Sequence, residues 1–211
     1  MNLFLSDRLI IQIDRGLRVL TGVTRCERSR PDAGLPETKW LSEDERIRVG
    51  RLMRVNHAGE VCAQALYQGQ ALTARLASNR DALRLAAQEE IDHLVWCRER
   101  LRELKTHPSV LNPVWYTGSW VMGVAAGLAG DQWNLAFLEV TEQKVTQHLT
   151  NHLGIIPEYD ERSRAIVLQM KIDEEGHAKL AHELGAASLP SWLRKLMDAT
   201  SWGMIQLTTW L

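Results

Sequence analysis

The sequence contains the same set of potential metal ligands twice: a lone glutamate and, about thirty residues later, a Glu-x-x-His pair. The members are Glu60, Glu90 and His93 in the first copy, and Glu142, Glu174 and His177 in the second. Residues three apart on an α-helix differ by about 60° around the axis and by roughly 4.5 Å along it, so each Glu and His can converge on one point. One Glu from each of two helices and a Glu-x-x-His from each of two others form the ligand set of a carboxylate-bridged di-iron or di-manganese centre in a four-helix bundle.

The spacing within each copy supports one shared site. Glu90 lies 30 residues after Glu60, and Glu174 lies 32 residues after Glu142, distances that an antiparallel helical hairpin can span while bringing its ligands to one level. Four carboxylates balance two divalent ions, so such a centre can be buried without net charge. Glutamate oxygens with two imidazoles and no thiolate favour iron or manganese over zinc or copper(I), and we expect iron.

Several neighbouring groups leave part of the assignment open. A single Glu-x-x-His arises easily by chance on a helix surface, and competing ligands stand close by in the sequence: His57, Glu139 and Glu175. We interpret His57 as a packing residue or as a residue behind the ligands, because a ligand there would break the symmetry of the two copies.

Two carboxylates directly precede the motif glutamates. Asp173 and Glu89 could each accept the remaining N–H of a ligand histidine, or could face solvent. His148 and His152 could be buried and hydrogen-bonded, or exposed.

The composition is that of an ordinary globular chain. At 211 residues it can bury one continuous core, and we expect a single domain over 1–211. The 25 Lys and Arg nearly balance the 26 Asp and Glu, which argues against nucleic-acid binding. Three cysteines without CxxC spacing argue against a disulfide framework or a zinc ribbon. Charges at Asp7 and Arg8 interrupt the N-terminus before a signal-peptide core can form, so we expect no export signal.

Hydrophobic periodicity predicts helices nearly everywhere and no strand, so the expected fold class is all-α. The expected order is an amphipathic helix over 1–21, a linker over 22–41, a four-helix core over 42–186 with an apolar segment at 111–130, and a C-terminal amphipathic helix over 190–211. The helix of Glu60 should begin after Ser42, because Glu45 completes a capping box there. The last core helix should begin at Glu158 and end before Gly185.

The apolar segment contains no Asp, Glu, Lys or Arg from Thr106 to Gly130. Polar residues near its start leave an uninterrupted apolar stretch well below the roughly 20 residues that a spanning helix needs. We therefore interpret it as a buried or interfacial helix. The Gly123-x-x-x-Gly127 spacing could permit close helix contact, although this motif is weak outside a membrane span.

Eight tryptophans outnumber the three tyrosines and two phenylalanines together. Four lie in segments of apolar or amphipathic character: Trp120, Trp192, Trp202 and Trp210. Tryptophan favours membrane interfaces, and core packing is the alternative for each ring. The C-terminal segment, with Arg194 and Lys195 among its apolar residues, resembles an interfacial helix, with packing on the bundle as the alternative.

Four motifs, in their order and spacing, resemble the demethoxyubiquinol hydroxylase family of ubiquinone biosynthesis. They are Asn56-His-Ala-Gly-Glu60, Glu90-Ile-Asp-His93, the segment around Glu142, and Asp173-Glu-Glu-Gly-His177. The resemblance covers about residues 45–211. The first motif is the most specific, because ferritins and rubrerythrins share the Glu-x-x-His pairs.

The resemblance implies a ferritin-like four-helix bundle in which the six residues of the two copies bind two iron ions, with Glu90 and Glu174 bridging. It implies a monooxygenase that uses O2 to hydroxylate the ring of a polyprenylated methoxy-methylbenzoquinol, with no catalytic side chain beyond the ligands. The family is reduced by an external reductant such as NADH or by the quinol itself; this sequence shows no dinucleotide or flavin motif, so the donor stays open. The family has a tyrosine after the residue matching His148, where this chain has Leu149.

A prenylated substrate implies work at a membrane surface, and we expect peripheral association with the cytoplasmic face of the cell membrane. We expect the prenyl tail to enter near Val114 to Leu128. Assembly into a ubiquinone-biosynthesis complex or a homo-oligomer stays open. Two alternatives remain: a ferritin- or rubrerythrin-like ferroxidase or iron-binding protein, and a non-enzymatic membrane-surface quinone carrier or scaffold.

Overall fold

The computed structural model describes residues 5–36 and 41–211, which form seven helices and no strand. The helices are α1 (Leu5–Thr21), α2 (Glu43–Thr73), α3 (Ala77–Glu103), α4 (Asn112–Ala129), α5 (Asp131–Ile155), α6 (Glu161–Glu183) and α7 (Ser191–Trp210). The all-α prediction is confirmed. Residues 1–4 of the predicted first helix and 37–40 of the predicted linker lie outside the described residues.

Two helical hairpins make up the four-helix bundle. Residues 74–76 connect α2 to α3, and residues 156–160 connect α5 to α6; such short connections make the helices of each pair antiparallel. Contacts of α3 with α6 and of α2 with α5 join the two hairpins. Each hairpin therefore carries one copy of the ligand pattern.

Two apolar layers lie on either side of the ligand positions. One includes Met53, Trp96, Leu149 and Met170, and the other includes Tyr67, Leu83, Leu138 and Ala181. Glu60 lies between Met53 and Tyr67 along α2, and in each of the other three helices the glutamate likewise lies between a residue of one layer and a residue of the other. The polar ligands are thus enclosed along the bundle axis by hydrophobic packing.

Two predicted helix-end signals are confirmed, and the predicted start of α6 is not. Ser42 and Glu45 form the predicted capping box, and Gly185 has the left-handed conformation, with φ of +95°. However, α6 begins at Glu161 and not at Glu158, so that prediction was wrong by three residues. The reason is that the Asp160 side chain caps the helix by accepting a hydrogen bond from the backbone N–H of Ser163 at 3.2 Å.

The apolar segment forms α4, which packs on α2 through glycines. A Cβ on Gly123 would overlap the Leu66 carbonyl oxygen, and one on Gly69 would overlap that of Trp120, so the two backbones approach as closely as small residues allow. The opposite side of α4 exposes apolar side chains: Val114, Val121, Met122 and Leu128. Among the described residues, no helix has both the length and the apolar character required to cross a membrane.

The terminal helices also expose apolar groups. On α1 these are Ile10, Ile13 and Leu17, and on α7 they are Trp192, Leu196, Trp202, Leu207 and Trp210. Helix α1 lies against α4, where the Trp120 indole donates to Gln12 Oε1 at 3.4 Å. The end of α7 meets the segment before α4, where the Val110 N–H donates to the Leu211 carbonyl at 3.1 Å.

Candidate metal centre

The six predicted ligand residues come together in the middle of the bundle. Their exposed fractions are 2% for Glu60, 0% for Glu90, His93 and Glu142, 1% for Glu174 and 6% for His177. Potential ligand atoms of Glu60, Glu90, His93 and Glu174 all lie within 4.8 Å of one another. Burying this many carboxylates together is costly unless cations or protons neutralise them.

The carboxylates of Glu90 and Glu174 each direct one oxygen toward each histidine. Glu90 Oε2 is 3.3 Å from His93 Nδ1 and Glu90 Oε1 is 3.4 Å from His177 Nδ1. Glu174 Oε1 is 3.2 Å from His93 Nδ1 and Glu174 Oε2 is 3.1 Å from His177 Nδ1. A carboxylate arranged in this way can bridge two metal ions, one beside each histidine.

Several of these buried atoms have no hydrogen-bond partner among the described residues. They are both carboxylate oxygens of Glu90, Nδ1 of His93 and Oε2 of Glu142. A buried polar atom without a partner costs roughly 1–3 kcal/mol, and more when it is charged. Cations in the centre would satisfy all four atoms, and the donor set of carboxylate oxygens and imidazole nitrogens suits iron. The residues therefore fit a di-iron site.

The outer nitrogen of each histidine meets a carboxylate from the opposite hairpin. His93 Nε2 lies 2.8 Å from Asp173 Oδ2, and His177 Nε2 lies 2.6 Å from Glu89 Oε2. Such a contact fixes the orientation of the ring and leaves the inner nitrogen free to bind a metal. Of the two roles considered for Asp173 and Glu89, the geometry favours the orienting role for both.

Tyr67 is part of the site, although no sequence motif indicated it. Its buried hydroxyl donates to Glu142 Oε1 at 2.7 Å and lies 3.4 Å from His177 Nδ1. Of the two carboxylate oxygens of Glu142, Oε1 therefore has a hydrogen-bond partner and Oε2 has none. The signal was present in the spacing, because Tyr67 lies seven residues, or two helical turns, after Glu60 and so shares its face of α2.

Burial and close contacts raise the pKa values of several of the proposed ligand residues. Burial alone would lower the pKa of His93, but its contacts with Asp173 and the surrounding glutamates raise it well above the usual range. The pKa of His177 is also raised. Burial, reinforced by the charge of Glu90, raises the pKa of Glu60 well above its usual range. Because metal ligands are deprotonated, metal binding must displace these protons.

The remaining histidines considered from the sequence lie away from the ligand oxygens. His57 packs at the contact between α2 and α4, where the Asn112 amide lies 3.4 Å from its Nδ1. The rings of His148 and His152 contact each other with centroids 3.9 Å apart and planes tilted by 59°, and burial lowers their pKa values to about 4 and about 3. All three are therefore packed as neutral rings.

Comparison with known proteins agrees with this geometry. Residues 47–208 match the family described as "Ubiquinone biosynthesis protein COQ7". The 3-demethoxyubiquinol 3-hydroxylase of Chromobacterium violaceum is 56% identical over 195 residues, covering 92% of this chain and 94% of the relative. The proteins of the same name from Laribacter hongkongensis and Nitrosococcus oceani are 54% and 52% identical, covering 92% and 97% of this chain and 94% and 96% of their own lengths.

The match includes all four motifs that carried the resemblance and all four helices that carry the ligand residues. On this basis, the chain belongs to the family of ubiquinone biosynthesis protein COQ7.

Proposed function

We propose that this chain is a di-iron 3-demethoxyubiquinol 3-hydroxylase that uses O2 to hydroxylate the quinol ring during ubiquinone biosynthesis. The six proposed ligands are Glu60, Glu90, His93, Glu142, Glu174 and His177, with Glu90 and Glu174 bridging. The relatives that carry this name align over more than nine-tenths of the chain, which supports carrying the activity over.

The observation that carries the proposal is the division of oxygens between the two histidines. Each bridging candidate offers one oxygen to His93 and one to His177 at 3.1–3.4 Å. A single-metal site would not need two carboxylates shared in this symmetric way. The pairing therefore supports two ions, with one histidine on each.

The protein's own contribution is to hold the metal ions, to orient their ligands and to enclose the site. Ferrous ions bound here would supply the redox chemistry that O2 activation requires. Asp173 and Glu89 orient the histidines, Tyr67 occupies one oxygen of Glu142, and the apolar layers on both sides exclude water. Hydroxylation transfers one oxygen atom of O2 to the ring and releases the other as water, so two electrons and two protons must be supplied, either by an external reductant such as NADH or by the quinol itself.

We further propose that the enzyme takes its quinol from a membrane surface, bound peripherally on the cytoplasmic face. The exposed apolar residues of α1, α4 and α7 support this, because contiguous exposed apolar surface marks interaction sites. Trp192, Trp202 and Trp210 are between 66% and 68% exposed, which is unusual for the largest apolar side chain. The region Val114 to Leu128 on α4 remains our proposed entrance for the prenyl tail.

Two other functions would use the same fold. A ferroxidase would share the ligands but would load many irons per chain, and a quinone carrier would bind lipid without needing the metal. The relatives named as hydroxylases favour neither alternative.

The decisive experiment replaces both bridging candidates, as Glu90→Gln with Glu174→Gln. The double variant should lose bound iron and lose hydroxylation of a demethoxyubiquinol by more than about a hundredfold, because each ion loses two of its charged ligands. Iron content, product formed under O2 with a supplied reductant, and flotation with anionic phospholipid vesicles are measured on the same preparations.

Glu175→Gln is the matched control, since Glu175 adjoins Glu174 but pairs on the surface with Lys171 at 2.7 Å. It should retain about two irons per chain and full activity. Hydroxylation that survives the double change would exclude the di-iron mechanism, and many irons per wild-type chain would favour a ferroxidase. Wild-type protein that does not float with vesicles would refute the membrane-surface part alone.

A further inference from the structure

The segment that follows α1 lies along the bundle beside the metal centre. We call residues 22–36 the strap. From residue 23 to residue 30 it has no helix or strand and bends at residues 27 and 28, and from residue 22 to residue 30 its even-numbered residues are partly buried while its odd-numbered residues are exposed. The sequence predicted only a linker here, but even-numbered side chains from Cys26 to Asp32 contact α3 and α6.

The strap is anchored at both ends by charged groups. Just before its start, in the last turns of α1, the Val19 carbonyl accepts a hydrogen bond from Arg98 of α3 at 3.1 Å. Further along, Arg30 pairs with Glu103 of α3 at 2.8 Å, and Asp32 pairs with Arg162 of α6 at 2.8 Å. These pairs hold the strap across the seam between the two hairpins.

Between these anchors, Arg28 reaches the outer side of His93. Its guanidinium donates to Asp92 Oδ2 through Nε and to Asp173 Oδ2 through Nη1, both at 2.8 Å, and Nη2 lies 3.3 Å from His93 Nε2. It also stacks over the Trp96 ring at 4.9 Å. Because Asp92 belongs to α3 and Asp173 to α6, one side chain joins the two hairpins at the histidine.

Asp173 is thereby fixed at both of its oxygens. Oδ2 accepts from Arg28 and from His93, and Oδ1 accepts from Gln169 at 2.9 Å. A carboxylate held on all sides cannot rotate away from the imidazole that it orients. A forked guanidinium is well suited to bind two carboxylates at once.

We propose that Arg28 is a positioning residue that locks His93 through Asp173, so that the iron on the His93 side is retained more firmly than the iron on the His177 side. This rests on the proposed di-iron function. The strap precedes the segment matched by the family, residues 47–208, so none of the ligand motifs indicates this role.

The test compares Arg28→Gln with Arg30→Gln, the same change two residues away on the same side of the strap. Each protein is loaded anaerobically with ferrous iron, its iron content is counted, and release to excess ferrous chelator is followed by absorbance. In Arg28→Gln, one of the two ions should leave about tenfold faster than in wild type, while the other keeps its rate. Mössbauer spectra of the loaded proteins should change for one iron only.

Arg30→Gln should lower the unfolding temperature without changing either release rate or the spectrum, since Arg30 makes no contact with His93 or Asp173 among the described residues and the Asp32–Arg162 pair still holds the strap on α6. Arg28→Lys should give an intermediate rate, because an ammonium keeps the charge but cannot form the fork. Unchanged release in Arg28→Gln would overturn the proposal, and so would equal acceleration in Arg30→Gln.

Asp92→Asn provides a second route if Arg28→Gln loads no iron. It removes the charged partner of the Arg28 Nε and leaves His93 and Asp173 intact. The same single-ion acceleration is expected, and wild-type release in this variant would overturn the proposal. Wild-type protein that holds no iron would instead refute the proposed function.

Discussion

The two hairpins supply the same three ligand residues, yet they surround them differently. The carboxylate behind His93, Asp173, has a side chain that is 12% exposed and is fixed by Arg28 and Gln169. The carboxylate behind His177, Glu89, is 37% exposed and pairs with no arginine or lysine in the described part of the chain. One outer carboxylate is therefore held by the strap, and the other is partly exposed to solvent, although the residues in front of both are buried.

The lone glutamates differ as well. Glu142 accepts a hydrogen bond from Tyr67, which lies seven residues after Glu60 on the opposite hairpin. The corresponding position seven residues after Glu142 is Leu149, which is 1% exposed in an apolar layer. Glu60 therefore has no matching phenol from α5. Sequence symmetry of the ligands does not make the two metal positions equivalent, because the residues behind them are not repeated.

The largest expected effect comes from removing each outer carboxylate in turn. Asp173→Asn should weaken iron binding about a hundredfold and Glu89→Gln only about tenfold, because Asp173 is enclosed and shared with Arg28, whereas water can replace an exposed carboxylate. Titration of ferrous iron against a competing chelator measures both. Equal losses in the two variants would show that the difference in burial has no energetic consequence.

A smaller effect is expected at the lone glutamates. Tyr67→Phe should weaken iron binding about fivefold, which corresponds to the loss of one hydrogen bond of about 1 kcal/mol, because Glu142 is then free to turn away from its ligand orientation. The same chelator competition provides the measurement, and a difference absorption spectrum of the loaded protein would report the altered ligand.

Tyr116→Phe is the matched control for this prediction. It removes an equally short hydrogen bond, from the Tyr116 hydroxyl to Gln68 Oε1 at 2.7 Å, from a buried contact between α4 and α2. Iron affinity should not change in this variant. A loss as large as that in Tyr67→Phe would mean that general loosening of α2 explains both results.

The convergence of the six proposed ligands was predictable because it depends on short-range geometry. Spacing of three residues fixes the relation of Glu90 to His93, and hairpin length brings Glu60 level with them. The contacts between the two hairpins that orient the histidines could not be predicted from spacing. Arg28 contacts Asp92 and Asp173 across 64 and 145 residues, and the strap has no apolar periodicity that would indicate its buried side.

Helix boundaries and helix pairing were likewise predictable only where they depend on residues that are close in sequence. Capping by Ser42 and Glu45 was predictable from four adjacent residues, but the start of α6 depends on Asp160, which also binds Arg100 of α3 at 2.9 Å. Glycines at 123 and 127 indicated close packing without naming the partner. The structure gives α2 as that partner, through Gly69, because helix pairing depends on contacts distant in sequence.

The smallest expected effect concerns the residues one turn before the lone glutamates, His57 in the first hairpin and Glu139 in the second. Burial, aided by the charge of Arg98, lowers the pKa of His57 to about 3, while Glu139 faces His182 at the surface. As the pH falls below about 6.5, His57 becomes protonated in the unfolded chain, whereas in the folded chain it stays neutral down to about pH 3. The free energy of unfolding therefore decreases as the pH falls across this window.

In metal-free protein, wild type should therefore lose about 0.8 kcal/mol more free energy of unfolding between pH 7.5 and 6.0 than His57→Gln does. Denaturant titrations at both pH values measure the difference, and parallel losses would mean that acid does not act on the first hairpin through this histidine.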